Sequence, residues 1–291
     1  MPSPESETFA LFFAPDHWTA VRRFSQFIGP PFHDPEVVKG TKTAASHLDK
    51  FEVLAAMANR LTPTLVEDQL ELDRDGHTPA IRAREFAALN ETLVCELYGS
   101  LDGVRRALFG AYRAVEGVQN ESTEKLFKRA AAGKYGRLFP EDVRLDLAAA
   151  HATWFPTLKK LRTELTHGDI GSCHLDRKTN RVRYMHMGLG TEARAMVIDD
   201  IVGQVNDLAK HVSHLVEGVF KHLYARLEPA ERRLVCGMYN GRVYERLVNP
   251  ELALTFDSGR CFSKAWFEKE PSLACPLKEQ CGAFSSGRLG L

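Results

Sequence analysis

Apolar residues recur every three or four positions along much of the chain, which is the spacing of one face of an α-helix. The longest such run covers residues 86–115, a second covers 147–165 and a third covers 201–227. Each run also carries polar residues on the opposite face, as an amphipathic helix does. The pattern therefore predicts three long helices, which favour an antiparallel bundle.

Prolines and an alternating segment interrupt these runs. Pro140, followed by two acidic residues, predicts the start of a helix, and Pro156 predicts a kink or a restart near Phe155. The segment 172–187 alternates apolar and polar residues around a turn and predicts a two-stranded hairpin. A further helix is expected over 229–247, followed by an irregular tail.

These elements together predict an all-α fold. We expect a helical N-terminal region over residues 1–80 and an antiparallel bundle over 81–227 that contains the small β-hairpin. Residues 228–291 are expected to form a C-terminal helix and an irregular tail that contains cysteines.

The composition of the chain argues against some classes of function. Basic and acidic residues each number 38, so the formal charge is zero, and a neutral chain does not coat nucleic acid non-specifically. No uninterrupted apolar run approaches the ~20 residues of a membrane helix. The first residues include Glu5 and Glu7 rather than a basic leader. We therefore expect a cytoplasmic protein without a membrane partner.

Residues 158–169 are the segment with recognisable chemistry. An apolar helical stripe of Leu158, Leu161 and Leu165 runs beside Arg162, His167 follows in the last turn, and Gly168 predicts the cap that stops the helix. On a continuous helix Arg162 and His167 would point about 140° apart. The two side chains therefore meet only if the helix frays or if a second copy of the chain supplies one of them.

The sequence Leu-Arg-Thr-Glu-Leu-Thr-His-Gly-Asp at positions 161–169 resembles the signature of HEPN domains (higher eukaryotes and prokaryotes nucleotide-binding). The resemblance covers roughly residues 81–227 and implies a helical bundle in which an Arg-x4-6-His motif ends a helix. It also implies a homodimer, with two motifs forming one ribonuclease site. Thr163 departs from the family, whose members commonly carry Asn, Asp or His after the arginine.

The chemistry expected from this motif is metal-independent cleavage of RNA, with no cofactor required. The imidazole of His167 would act as general base or acid, and the guanidinium of Arg162 would bind the phosphate. Glu164 would favour the protonated imidazole, and the hydroxyl of Thr163 would orient the ring or a phosphate. The alternative is that Arg162 pairs with a surface carboxylate and His167 caps helix carbonyls.

Basic side chains close to the motif are candidate contacts for RNA phosphates. They lie on the motif helix and on the predicted hairpin, and they are Lys159, Lys160, Arg177, Lys178, Arg181 and Arg183. The alternative is that these exposed residues only interact with water.

Cysteines at the C-terminal end provide a second candidate site. The pair Cys275 and Cys281, within Ala-Cys-Pro-Leu-Lys-Glu-Gln-Cys, resembles the last pair of the iron–sulfur loop in endonuclease III-like DNA glycosylases. Together with Cys236 and Cys261 they would supply four thiolates for a structural zinc ion or an iron–sulfur cluster if the fold gathers them. Four ordinary free thiols are the alternative.

Three functions are compatible with the sequence. The first is an endoribonuclease in a defence or toxin–antitoxin setting, where an antitoxin or another regulatory protein would be a partner. The second is a non-catalytic module of the HEPN type that binds RNA or a nucleotide. The third is a helical protein that mediates interaction or assembly. A basic pocket that holds Arg162 and His167 would favour the first two, and a buried or salt-bridged Arg162 would favour the third.

Overall fold

The computed structural model of the chain describes residues 9–166, 170–186, 196–250 and 254–286. Helix makes up 58% and strand 13%, and the strands form two antiparallel sheets of four and three strands. The predicted all-α fold is therefore wrong. The main reason is that three strands of the four-stranded sheet occupy sequence predicted to be a C-terminal helix and an irregular tail.

The described chain forms ten α-helices and seven β-strands. The helices are α1 (Ala20–Phe27), α2 (Pro35–Leu61), α3 (Leu65–Asp75), α4 (Ile81–Tyr112), α5 (Thr123–Ala131), α6 (Glu141–Ala152), α7 (Phe155–Thr166), α8 (Ile201–Tyr224), α9 (Lys264–Lys269) and α10 (Gly282–Ser286). The strands are β1 (Phe9–Leu11), β2 (Ser172–Asp176), β3 (Arg181–His186), β4 (Met196–Ile198), β5 (Arg232–Tyr239), β6 (Arg242–Val248) and β7 (Arg260–Cys261). In the described part of the chain, no helix is both long and apolar enough to cross a membrane.

The three long apolar runs form helices as predicted. The first is α4, the second is divided into α6 and α7 with the restart at Phe155, and the third is α8. The hairpin is also confirmed, because β2 pairs antiparallel with β3. A third strand, β4, pairs with the other edge of β3 and was not predicted.

One compact unit comprises residues 34–219 and contains α2 to α7, the three-stranded sheet and most of α8. Helices α2 and α4 pack closely because small residues lie at their contact. A Cβ added to Gly103 would lie 2.4 Å from the backbone nitrogen of Ala44, and one added to Gly40 would lie 2.4 Å from that of Ala107. Only hydrogen side chains at Gly40 and Gly103 permit this approach of two backbones.

The second unit comprises residues 1–33 and 220–291. Its sheet has the strand order β1-β5-β6-β7, so the N-terminal strand pairs with a strand more than two hundred residues later in the sequence. Asn240 and Gly241 join β5 to β6 with φ values of 48° and 74°, the left-handed conformations that a two-residue hairpin turn requires. The ladder shifts register between Val235 and Gly237, which places a bulge at Cys236.

Candidate functional site

Arg162 is held against α4. Its guanidinium carbon lies 5.3 Å from the ring centre of Tyr98, and the side chain is half-buried. Burial raises the pKa of the Tyr98 hydroxyl and of the Cys95 thiol, and the nearby charge of Arg162 opposes both increases. Cys95 and Tyr98 are one turn apart on α4, so the guanidinium covers a single patch of that helix. A cation over an aromatic face gains about 0.5–1 kcal/mol at a partly exposed site.

The remaining motif residues are only partly described. Thr163 is exposed and Glu164 is half-buried on α7. His167, Gly168 and the predicted helix cap lie outside the described residues, so the expected position of the imidazole is not tested.

The chain returns to α4 directly after the motif. The backbone N–H of Gly171 donates to Oε1 of Glu91 at 2.8 Å, and the hydroxyl of Tyr184 donates to the same oxygen at 2.8 Å. Burial and the bond to Glu91 raise the pKa of Tyr184. Glu91 and Tyr98 are seven residues apart on α4, which is about two turns. The described chain on either side of residues 167–169 therefore contacts α4, through Arg162 and through Gly171.

Replacing Glu91 by alanine should lower the free energy of unfolding by about 3 kcal/mol, because two buried donors lose their acceptor. Glu91→Gln is the matched control, since its amide oxygen can still accept both bonds, and it should cost less than about 1 kcal/mol. Urea denaturation of the two variants measures the difference. Equal losses would show that the negative charge, rather than the shared acceptor, stabilises this contact.

The six candidate RNA contacts fall into two groups. Three of them are in ion pairs, namely Lys159 with Glu124, Arg181 with Asp200 and Arg183 with Asp199. The other three, Lys160, Arg177 and Lys178, are exposed, and no described carboxylate pairs with them. The second group is therefore the better candidate for contacts to an added polyanion.

The four cysteines predicted as metal ligands line one cavity. Cys236 lies on β5, Cys261 on β7 and Cys275 and Cys281 in the segment before α10. Most of the remaining wall is apolar and comes from Phe9, Leu11, Tyr244, Phe256, Leu277, Ala283 and Phe284. The bulge at Cys236 and the pairing of β7 with β6 bring distant cysteines together, as bulges re-aim side chains.

Arg246 is the buried charged residue of this cavity, and the exposed Lys278 also lines it. It lies opposite Cys261 across the β6–β7 pair and is 2% exposed. Its Nη2 donates to Sγ of Cys281 at 3.3 Å, and it also bonds to the thiol of Cys236. Its Nη1 donates to the carbonyl oxygens of Phe256 at 2.6 Å and Ser258 at 3.0 Å.

The charge of Arg246 lacks a described counter-ion. Within the described chain it makes no ion pair with a carboxylate, and its buried Nε has no hydrogen-bond partner there. The guanidinium also stacks on Phe13, with 4.0 Å between its carbon and the ring centre. A buried cation is costly unless an anion or several acceptors compensate it.

Backbone N–H groups interact with the other two sulfurs, those of Cys261 and Cys275. The thiol of Cys261 accepts a bond from the N–H of Ser263, and that of Cys275 accepts one from the N–H of Leu277. Burial raises the pKa of the Cys261 thiol to about 11 and also raises that of Cys275, against the effect of these bonds. Together with Arg246, these N–H groups give every one of the four sulfurs a hydrogen-bond donor.

The sulfurs surround the cavity without meeting at one point. Among the described residues, no three His, Cys, Asp or Glu side chains are arranged so that they could hold a metal ion. The four thiols are therefore neighbours of a shared space rather than a closed single-ion site in this conformation.

No protein-family model, curated protein or solved structure matches the chain. The HEPN resemblance therefore depends on the motif at residues 161–169.

Two residues of these sites were not predicted. Glu91 lies within a helical run and shows no distinctive pattern, so only the packing of β2 and β3 on α4 reveals its role. Arg246 could have been found, because Asn240-Gly241 between two apolar stretches is a typical hairpin turn. Recognising that hairpin would have placed Arg246 on a strand beside the cysteines.

Proposed function

We propose that the chain is a HEPN-like endoribonuclease that cleaves RNA without a metal. The proposal depends on the Arg-x4-His spacing at residues 162–167 of the sequence, supported by Arg162 on α7 half-buried against Tyr98 and by Gly171 bonded to Glu91. Side chains on packed helices hold a more exact geometry than side chains on free loops. The same features support an RNA-binding module without catalysis, which is the second outcome of the tests below.

The proposed reaction is an internal transfer. The ribose 2′-OH loses its proton to a base and attacks the adjacent phosphorus, and the bond from phosphorus to the 5′ oxygen breaks. A proton from the acid goes to the leaving oxygen, which yields a 2′,3′-cyclic phosphate and a 5′-OH. His167 supplies acid or base catalysis, and Arg162 binds the non-bridging oxygens. Glu164 and Thr163 assist by favouring and orienting the imidazolium.

The proposed setting follows from the same family resemblance. Two copies of the chain would combine their motifs across a two-fold axis, since a helix continued to residue 167 would point Arg162 and His167 about 140° apart. All six cysteines are free thiols, which suits the reducing cytoplasm. A defence or toxin–antitoxin role would add an antitoxin or another regulatory protein as partner.

Purified protein should cleave single-stranded RNA in the presence of EDTA and leave 2′,3′-cyclic phosphate ends. The internal 2′-OH needs only a base, an acid and a phosphate-binding group, so chelation should not change the rate. Denaturing gel electrophoresis with end-group analysis measures this. Binding without cleavage would indicate the non-catalytic module, and neither binding nor cleavage would contradict both proposals.

Removing Lys160, Arg177 and Lys178 together should weaken RNA binding and make it less dependent on salt. Each lost phosphate contact lowers the slope of log K against log salt by about 0.7 for single strands, so a change of about 2 is expected. The control is Arg181→Ala with Arg183→Ala, because these two residues already pair with Asp200 and Asp199. Equal slopes for both variants would show that these side chains do not contact RNA.

We also propose that Cys236, Cys261, Cys275 and Cys281 bind a structural metal centre. The support is their common cavity and the donor beside each sulfur. The unit they belong to has short strands and short helices in its C-terminal part, and metal binding can supply folding free energy where apolar burial is small. Cleavage of RNA does not require this centre.

A further inference from the structure

We infer that the occupant of the cysteine cavity is an iron–sulfur cluster rather than a single zinc ion, and that Arg246 is its buried counter-ion. The inference rests on the proposed metal centre and specifies its chemistry. It is drawn from the arrangement of four sulfurs, one guanidinium and an apolar wall.

The placement of four thiols around one cavity favours a polynuclear centre. A zinc ion requires four sulfurs that converge at about 2.3 Å from one point. The four thiols instead line a common space, and no three of them, nor any other described His, Asp or Glu, are arranged to hold one ion. A cubane cluster places iron and sulfide between its ligands, so its cysteines stand around a volume.

The charge in the wall favours an anionic occupant. A cluster bound by four thiolates carries net negative charge, and the fully buried Arg246 contacts the sulfurs of Cys281 and Cys236. Its Nε is buried and has no hydrogen-bond partner among the described residues. The carbonyl oxygens of Phe256 and Ser258 orient the guanidinium but do not neutralise it. An anion inside the cavity would neutralise the charge of Arg246.

Hydrogen bonds to the cysteine sulfurs also favour a cluster. Protein N–H groups that point at thiolate or sulfide sulfur stabilise a cluster and set its reduction potential. Ser263 and Leu277 provide such donors to Cys261 and Cys275. Loading replaces four S–H bonds by four S–Fe bonds and releases the protons, without oxidising the cysteines. The bound cluster would connect β5, β7 and the segment before α10.

The test is analysis of the full chain purified without oxygen from cells supplied with both iron and zinc. About four iron atoms and four acid-labile sulfides per chain are expected, with visible sulfur-to-iron absorption. The same content should remain in Cys95→Ser, whose thiol lies in the other unit. In Cys261→Ser and Cys275→Ser it should fall to about a tenth or less, as expected when a ligand to a tight site is lost.

Two variants of Arg246 test its role as the counter-ion of the cluster. Arg246→Met should lose its cluster about tenfold faster under a chelator and should lower the reduction potential, because a positive charge beside the cluster is removed. Arg246→Lys retains the charge and should restore most of the potential. Unchanged potentials in both variants would overturn the role of Arg246.

Different results of the metal analysis would overturn different parts of the inference. About one zinc per chain without sulfide would overturn the cluster and retain the metal centre. Less than about a tenth of an equivalent of either metal would overturn both. Neither result bears on cleavage of RNA in EDTA.

Discussion

Replacing His167 by alanine is expected to lower the rate of RNA cleavage about 10³-fold while leaving the fold intact. A positioned general acid or base contributes roughly 10²–10⁴ to a rate, and the imidazole is the group of the motif that titrates near neutral pH. Arg162→Ala should cost about 10²–10³, the usual effect of removing one charge-stabilising group. Single-turnover rates on one short RNA measure both, with circular dichroism to check folding.

Mixing the two inactive variants tests whether the site is shared. If Arg162 and His167 come from different copies, heterodimers contain one complete pair, and an equal mixture should recover about a quarter of the wild-type rate. Arg162→Lys serves as control, because it keeps the charge but cannot bind phosphate through two parallel bonds. No recovery would contradict the shared site, and full activity in both alanine variants would contradict the ribonuclease.

Replacing Gly103 by alanine is expected to destabilise the unit of residues 34–219 by about 3 kcal/mol. The added methyl group would lie 2.4 Å from the backbone nitrogen of Ala44 and 2.7 Å from the carbonyl oxygen of Gly40. Backbone atoms cannot rotate away, so α2 and α4 must separate, and overpacking of this kind costs about 1–3 kcal/mol or more. Thermal unfolding should show a decrease of roughly 10 °C.

Gly218→Ala is the matched control. Gly218 also lies inside a helix of the same unit, but an added Cβ would be 3.4 Å from a carboxylate oxygen of Asp146, an ordinary contact. Alanine is the better helix former by about 1 kcal/mol, so this variant should be as stable as the wild type or slightly more stable. A loss at Gly218 equal to that at Gly103 would show that the close contact is not the cause.

Helices were predictable because their apolar periodicity extends over several turns. The restart at Phe155 was also predictable, since Pro156 removes a backbone donor within an otherwise continuous run. The hairpin of β2 and β3 alternates cleanly, with Val182, Tyr184 and His186 on its buried face. In each case the determining interactions are local in sequence.

The four-stranded sheet was mispredicted for two physical reasons. The bulge at Cys236 interrupts the alternation of β5, so its apolar residues resemble a helical spacing. The partner of β5 at one edge is β1, a three-residue strand whose pairing is set by the tertiary fold rather than by local pattern. The Asn240-Gly241 turn was the feature that should have outweighed the helical spacing.

The candidate sites differ in how far sequence could predict them. Cysteines with 24, 13 and 5 intervening residues have no recognisable ligand spacing, and only the strand pairing brings them to one cavity. The contribution of Arg246 depends on its position opposite Cys261. For the motif, sequence supplied Arg162 and His167, and the structure adds Tyr98, which contacts Arg162, and Glu91, which accepts a bond from Gly171.

The most direct test of internal RNA cleavage uses one synthetic RNA in two forms. The position cleaved by the wild-type protein in EDTA is mapped first, and the ribose on its 5′ side is then replaced by 2′-deoxyribose. If Arg162 and His167 promote attack by the 2′-OH, cleavage at that position should disappear while neighbouring sites remain. Continued cleavage at the deoxy position would require water as the nucleophile and would contradict the proposed function.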